Sequence, residues 1–323
     1  MEQYLNYRVC SLPWLKRGDK DMTGKDITGY KSTGSMRLAG KQPFQVRGNS
    51  GIREPRRIFI IFTEGVETEQ RYFEELSKSE KVKKNIQIKV LNRWKEHSGR
   101  SNQFQVVDDI REFIFQATKI EDKDKSNFES YFKQIVDGCN SQTLLSIANK
   151  IPKLIQKYPN LISEKENIQN QLFALATITT YDSNYDRICI IIDRDMNSFS
   201  EDQYQDAVKL SEDNNFILGI SNPCFEFFLL MHIYDVSDIS NDDILKNKKE
   251  QKKTLMERIL DKCLKEEIGT SFKKRSYDVK YFIENIDKGI ENSKLYQFEN
   301  HKLINEVGTS VFTILNEILE FPS

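Results

Sequence analysis

Long apolar runs are missing from this sequence. The longest, such as IFIIF at residues 58–62, fall far short of the roughly 20 residues a helix needs to cross a bilayer. A helical membrane-spanning protein is therefore excluded. The N-terminal MEQYLNYRVCSLPWLKRGDK also has no apolar secretory core, so the expected compartment is the cytoplasm. Cysteine is scarce as well. The five present (Cys10, Cys139, Cys189, Cys224 and Cys263) are odd in number and scattered, with no CxxC pair and no histidine at zinc-ligand spacing. That pattern argues for buried, reduced thiols rather than a disulfide framework or a zinc module. No GxxxxGK[ST] phosphate loop occurs, so the chain carries no ATPase of that type. Internal repeats are absent.

What is present fits a globular protein with a heavily charged surface: 323 residues, 38% hydrophobic and 30% charged, enough chain for one large domain or two ordinary ones. The formal net charge of −1 hides an asymmetry, because residues 1–57 carry 12 Lys and Arg against 5 Asp and Glu. This basic arm reads either as a solvated tail or as a segment that neutralises phosphates.

Periodicity divides the chain. Residues 1–55 form a loop-rich arm with little pattern. RIFIIF (57–62), the helical spacing of Tyr72, Phe73 and Leu76, and IQIKVLN (86–92) make a β-α-β unit. A helix is expected over 103–117, followed by a helical insertion at 118–184 without strand signals. Strands resume with RICIII (187–192) and FILGI (216–220), separated by a helix that opens on the capping box Ser200 and Gln203. The expected fold is α/β, with a Rossmann-like four-stranded parallel sheet flanked by helices. The core spans 56–235, with a helical C-terminal region, 236–323, packed on it.

Acidic residues follow three of these strands. Glu64 ends the first in FTEGVETEQRYFEEL, Asp193 and Asp195 follow the third as DRD, and Glu226 lies after the fourth in SNPCFEFFLLMH. Ligands of open parallel sheets bind beyond these carboxyl ends. Residues two apart on extended backbone share a side, so Asp193 and Asp195 are placed to present neighbouring carboxylates. Hard divalent cations take such oxygen ligands, and Mg²⁺ keeps waters for a substrate phosphate. Crowded carboxylates repel one another unless one is protonated or a cation joins them. Gly65 is expected to serve a tight turn and a close approach. Asn222 and Pro223 are expected to be the N-cap and first residue of the helix bearing Glu226.

These residues match a known family. Arg56-Arg57, FTEGVETEQRYF (62–73), IIIDRDMN (190–197), SNPCFEFFLLMH (221–232) and NEVGTSVFTIL (305–315), with HSGRSNQFQVVDDI (97–110) more loosely, resemble RloB-like proteins over roughly residues 56–320. The resemblance implies a Toprim-type domain, related to overcoming-lysogenization-defect, AbiL and PARIS defence proteins, in which acids bind Mg²⁺, with Mn²⁺ as an alternative, for phosphodiester chemistry. Carried over, Glu64, Glu69, Asp193, Asp195 and Glu226 are metal residues, and Glu64 and Lys274, within SFKKR, are catalytic. The implied role is a defence nuclease. Its implied partners are a nucleic acid (DNA, or RNA including transfer RNA), a separate ABC-type ATPase and, as a further option, a second copy of the chain. No membrane is involved.

Arg56, Arg57, Arg93, Lys95, His97 and Arg100 are the candidate nucleic-acid contacts. Trp94, flanked by Lys89, Arg93 and Lys95, either stacks on a base or marks a surface strand end. His232 reads as a partly buried helix residue. The run KNKKEQKK at 246–253 reads as the solvated approach to a helix or as a phosphate-backbone contact. The rival to a nuclease is a catalytically idle Toprim domain that binds nucleic acid or protein within a defence complex.

Overall fold

A computed structural model describes residues 56–65, 67–92, 103–136, 141–159, 161, 168–196 and 199–321. In chain order the elements are β1 (Arg57–Thr63), α1 (Thr68–Leu76), β2 (Ile86–Asn92), α2 (Gln103–Thr118), α3 (Asp122–Val136), α4 (Ser141–Lys157), α5 (Ile168–Ile178), β3 (Arg187–Asp193), α6 (Glu201–Asp213), β4 (Ile217–Asn222), α7 (Phe225–Met231), α8 (Asn241–Lys246), α9 (Leu255–Ile268), α10 (Val279–Glu284), α11 (Ile286–Ser293), β5 (Gly308–Thr309) and α12 (Val311–Leu319). None of the described helices is long and apolar enough to cross a membrane. The chain divides into two compact units.

The larger unit takes in described residues 56–115 and 181–321 and is built on a five-stranded sheet of order β2-β1-β3-β4-β5. The first four strands are mutually parallel and β5 pairs antiparallel with β4. Strand formation follows from sequence: RIFIIFT and RICIIID are β-branched and aromatic, types that fit a pleated, buried surface. Alternate residues point to opposite faces. Phe59, Ile61, Cys189 and Ile191 join the core formed with α1, α7 and the C-terminal helices. Ile58, Ile60, Phe62, Ile188, Ile190 and Ile192 are buried on the other face. Both faces are covered, so the strands read as continuous apolar runs rather than alternating ones.

The sheet differs from the four-stranded expectation. β5 is only two residues long, too short for any periodicity to register. It forms because Ser221 and Thr309 share a hydroxyl contact of 2.9 Å, while Ser310 Oγ accepts from Ile220 N at 2.8 Å. Gly308 is required there, since a Cβ on it would lie 1.9 Å from the Gln297 carbonyl oxygen. β4 also runs two residues further than expected, to Asn222. Asn222 is therefore a strand end whose amide donates to the carbonyls of Leu303 (2.7 Å) and Glu306 (3.1 Å), and not a helix cap. The N-cap position of α7 belongs to Cys224, and Pro223 precedes it after a cis bond. The Ser200–Gln203 capping box of α6 is present. Cys189 and Cys224 are free and buried, and Cys263 is free and half-buried, whereas Cys10 and Cys139 lie outside the described residues.

The second unit takes in described residues 116–180, including α3, α4 and α5. Asp124 is its polar hub, accepting from Lys157 Nζ and Tyr158 Oη at 2.7 Å each, while Phe132 and Phe173 pack with ring centroids 4.9 Å apart.

Candidate functional site

The order of the strands fixes where a ligand can sit. From β1 the chain passes to β2 on one side, and β3 then adds on the other side of β1. Where strand order reverses in this way, a crevice opens beyond the carboxyl ends of the two central strands. Glu64 follows β1 and Asp193 ends β3, so both stand at that crevice. Glu64 is held between the strands: its backbone N–H donates to Ile191 O at 2.9 Å, and its Oε2 accepts from the Asp193 backbone N–H at 3.1 Å. Its other oxygen accepts from Gln103 Nε2, also at 3.1 Å. Gln103 is buried, and its own Oε1 has no hydrogen-bond partner. A buried oxygen without a donor is costly, and it marks a place where a donor or cation is missing.

Glu69 enters from the first turn of α1. The glycine at 65 serves this carboxylate: Gly65 does not have a left-handed φ, but a Cβ there would lie 2.3 Å from Glu69 Oε2. Gly65→Ala is thus expected to displace only the flexible end of Glu69, changing stability by less than about 1 kcal/mol. Cation-dependent activity is expected to drop roughly 10- to 100-fold, which thermal unfolding and initial rates will separate.

Glu226 is the second residue of α7 and is buried. Lys274, on the loop between α9 and α10, reaches it with Nζ at 2.8 Å from Oε1 and touches Glu257 Oε1 at 3.1 Å. Glu257 belongs to a capping box at the start of α9, with its Oε2 accepting from Thr254 N at 2.7 Å. The loop carrying Lys274 is tied down on both sides, by Phe272 N donating to Asp261 Oδ1 at 2.8 Å and by Tyr277 Oη donating to Thr68 O at 2.7 Å.

These groups form one electrostatic cluster. Burial pushes the Glu69 carboxyl up to about 7, its own backbone N–H works against this, and Glu226 and Glu64 add repulsion that Lys274 partly offsets. Asp193 is raised well above the carboxylate range by burial first and then by Glu69, Glu64 and Glu226. It retains intermediate solvent accessibility, yet protein encloses it over the longer range that matters for a charge. Burial disfavours the Lys274 charge, but Glu226 and Glu257 outweigh that and hold the ammonium protonated. Burial, then Glu226 and Asp193, also raise the Cys224 thiol.

Glu64, Glu69, Asp193, Glu226 and Lys274 are therefore brought together. Asp195 is exposed in the segment beyond β3, its backbone oxygen accepting from Phe199 N at 2.9 Å. Between the two aspartates, Arg194 is buried and structural: Nε donates to Ile304 O at 3.2 Å and Nη1 to Phe199 O. Arg57 corrects the expectation of a nucleic-acid contact. It is 8% exposed at the start of β1, donates from Nε to Tyr185 O at 2.7 Å and lies 4.5 Å from the Phe321 ring centroid. Parallel strands place it at the edge opposite the acids, together with the exposed Arg56. Lys89 is likewise buried within β2. Arg93, Trp94, Lys95, His97 and Arg100 lie outside the described residues. His232 is fully buried, with Nε2 2.9 Å from Tyr72 Oη and Nδ1 3.0 Å from Phe228 O, and burial lowers it to about 4. Gln103, Cys224 and Glu257 are site residues that sequence reasoning missed. For Glu257 a signal existed in the Thr254-x-x-Glu257 pattern, which announces a cap and says nothing of a lysine 17 residues further on.

The donor set is one of hard oxygens: four carboxylates and the unpartnered Gln103 Oε1. Its chemistry fits a divalent cation of the Mg²⁺ or Mn²⁺ type. No three His, Cys, Asp or Glu side chains among the described residues already stand together as a cation cage, and the positive charge beside Glu226 is the Lys274 ammonium.

Fold and site together define an α/β protein with an open, mostly parallel sheet and an acidic cluster at its switch point. The chain belongs to the RloB-like family, whose sequence model matches residues 59–318. Comparison with curated proteins and with solved structures gave no match.

Proposed function

We propose that this chain is a metal-dependent nuclease of the Toprim type, an effector of anti-phage defence that works with a separate ABC-type ATPase. The observation that carries this reading is the convergence of Glu64, Glu69, Asp193 and Glu226 on the switch point, in surroundings that drive the carboxyl of Glu69 up to about 7 and that of Asp193 well above its ordinary range. Such a cluster is unstable as a set of bare anions and is satisfied by protons or by a cation.

Glu64, Glu69, Asp193 and Glu226 are the residues to hold Mg²⁺, with Gln103 Oε1 as a neutral donor; exposed Asp195 adds an outer carboxylate. A cation bound here supplies Lewis-acid charge and lowers the pKa of bound water. The chain's own residues do the rest. Gln103 and the Asp193 backbone N–H fix the Glu64 carboxylate, and Lys274, oriented by Glu257, offers positive charge to a phosphate. Family membership is consistent with a defence role; the sequence has no phosphate loop, so in this reading any ATPase is a separate chain.

The idle-module reading has one observation in its favour, the lack of a preformed cation cage among the described residues. Incubation of the purified chain with mixed DNA, RNA and transfer RNA in Mg²⁺, Mn²⁺ or EDTA decides between them. The nuclease reading predicts cutting in Mg²⁺ or Mn²⁺ that EDTA abolishes. Binding without cutting, also after a candidate ABC-type ATPase partner is added, supports the idle module.

A further inference from the structure

The last residue of α8, Lys246, and the loop joining α8 to α9, with Lys248, Lys249, Lys252 and Lys253, hold five lysines that the acidic site does not use. Two are neutralised locally, Lys246 by Asp242 at 3.7 Å and Lys253 by Asp261 at 3.0 Å, and the loop's own Glu250 is taken by Arg258. Lys248, Lys249 and Lys252 are exposed and have no ion pair or hydrogen bond from their side chains among the described residues. Three ammonium groups are thus left to solvent within five residues of chain.

The loop is not a free tether. Asn247 adopts a left-handed φ of 38° and Gln251 one of 55°, and Glu250 and Lys253 exchange backbone hydrogen bonds of 3.0 and 3.2 Å. Asn247 also anchors it at both ends of its side chain. Its Oδ1 accepts from Met256 N at 3.0 Å, and its Nδ2 lies 3.4 Å from Cys224 Sγ. Cys224 is the N-cap of α7, two residues before Glu226. The loop therefore meets the N-terminal ends of both α7 and α9, the helices that carry Glu226 and Glu257, the two partners of Lys274.

A polyanion approaching this cleft meets Glu64, Glu69, Asp193 and Glu226, which repel it. Cations beside the cleft offset that repulsion and release counterions from the strand. We propose that the 247–253 loop is a phosphate-backbone contact surface, which holds a nucleic-acid strand on the flank of the acidic site through Lys248, Lys249 and Lys252. This rests on the reading of that site as one that acts on nucleic acid. Point-charge lysines on phosphates position a strand without reading its sequence, so the contact is expected to serve DNA and RNA alike.

The test compares the full chain with the variant Lys248→Ala/Lys249→Ala/Lys252→Ala, using fluorescence anisotropy of labelled single- and double-stranded DNA and RNA in EDTA across a salt series. The variant is expected to bind at least about tenfold more weakly near 100 mM salt, with the slope of log K against log salt shallower by about 2 to 3. Its thermal unfolding is expected to be unchanged, because these side chains have no partner to lose. Unchanged affinity and slope overturn the proposal. So does poly-glutamate binding with the same lysine dependence, which makes the partner an acidic protein. Lysine-dependent nucleic-acid binding by a chain that cuts nothing in any metal upholds this surface and removes the hydrolytic reading. No binding by the wild type removes both.

Discussion

Asp193→Asn is expected to lower metal-dependent phosphodiester cleavage by about 10³-fold, the upper range for loss of one charge-stabilising group at a reacting centre, and at the same time to raise the melting temperature of the metal-free protein. The two effects have one cause. Asp193 ends β3 inside a ring of like charge, where burial and then Glu69, Glu64 and Glu226 all disfavour its ionised form. An amide of the same shape removes that cost and with it the negative charge that a cation requires. The backbone N–H of residue 193 still donates to Glu64, so the neighbouring acid keeps its place. Initial rates in Mg²⁺ and unfolding curves in EDTA check the pair of predictions. Destabilisation of the metal-free variant would show that the carboxylate is structural.

The second large effect is on stability against pH. A carboxyl raised in the folded state binds more protons folded than unfolded, so stability falls as pH rises through the interval between its two pKa values. For Glu69 that interval runs from 4.5 to about 7, a cost of roughly 3 kcal/mol above it at about 1.4 kcal/mol per unit. His232 acts in the opposite sense. Its pKa falls from 6.5 to about 4 on burial, so it contributes stability present above 6.5 and lost as pH falls towards 4. The two slopes oppose one another across their shared window in the wild type, and the raised carboxyl of Asp193 adds to that of Glu69. Glu69→Gln is expected to remove one of the two raised carboxyls, Asp193 remaining, so that stability falls less steeply, or rises, with pH between about 4.5 and 7 relative to the wild type. Urea unfolding of both proteins in EDTA measures this directly. Saturating Mg²⁺ at pH 8 is expected to stabilise the wild type far more than the variant.

Much of this site was legible in sequence because parallel α/β folds place chemistry at strand ends. The strands around Glu64 and Asp193 are continuous β-branched runs, and each breaks at its acid. Lys274 was legible only through the family resemblance, since the contact with Glu226 spans 48 residues of chain and no local pattern encodes it. Arg57 misled because an arginine before a strand reads as a surface charge, whereas Tyr185, Glu317 and Phe321, all distant in sequence, supply the partners that bury it. Gly65 was expected for a tight turn and a close approach, and the close approach is made by Glu69 of the same chain. β5 and the α7 cap depended on tertiary pairing with β4 and could not be inferred from residues 221–226 alone.

Whether the acidic cluster is a cation site is tested, without requiring a substrate, by titration of the purified chain with Mn²⁺ followed by electron paramagnetic resonance. Saturable binding at neutral pH is expected, competed by Mg²⁺, weakened as pH falls below about 7 where Glu69 takes up its proton, and lost in Glu64→Gln and Asp193→Asn. Absence of binding, or binding that both substitutions leave intact, contradicts the account.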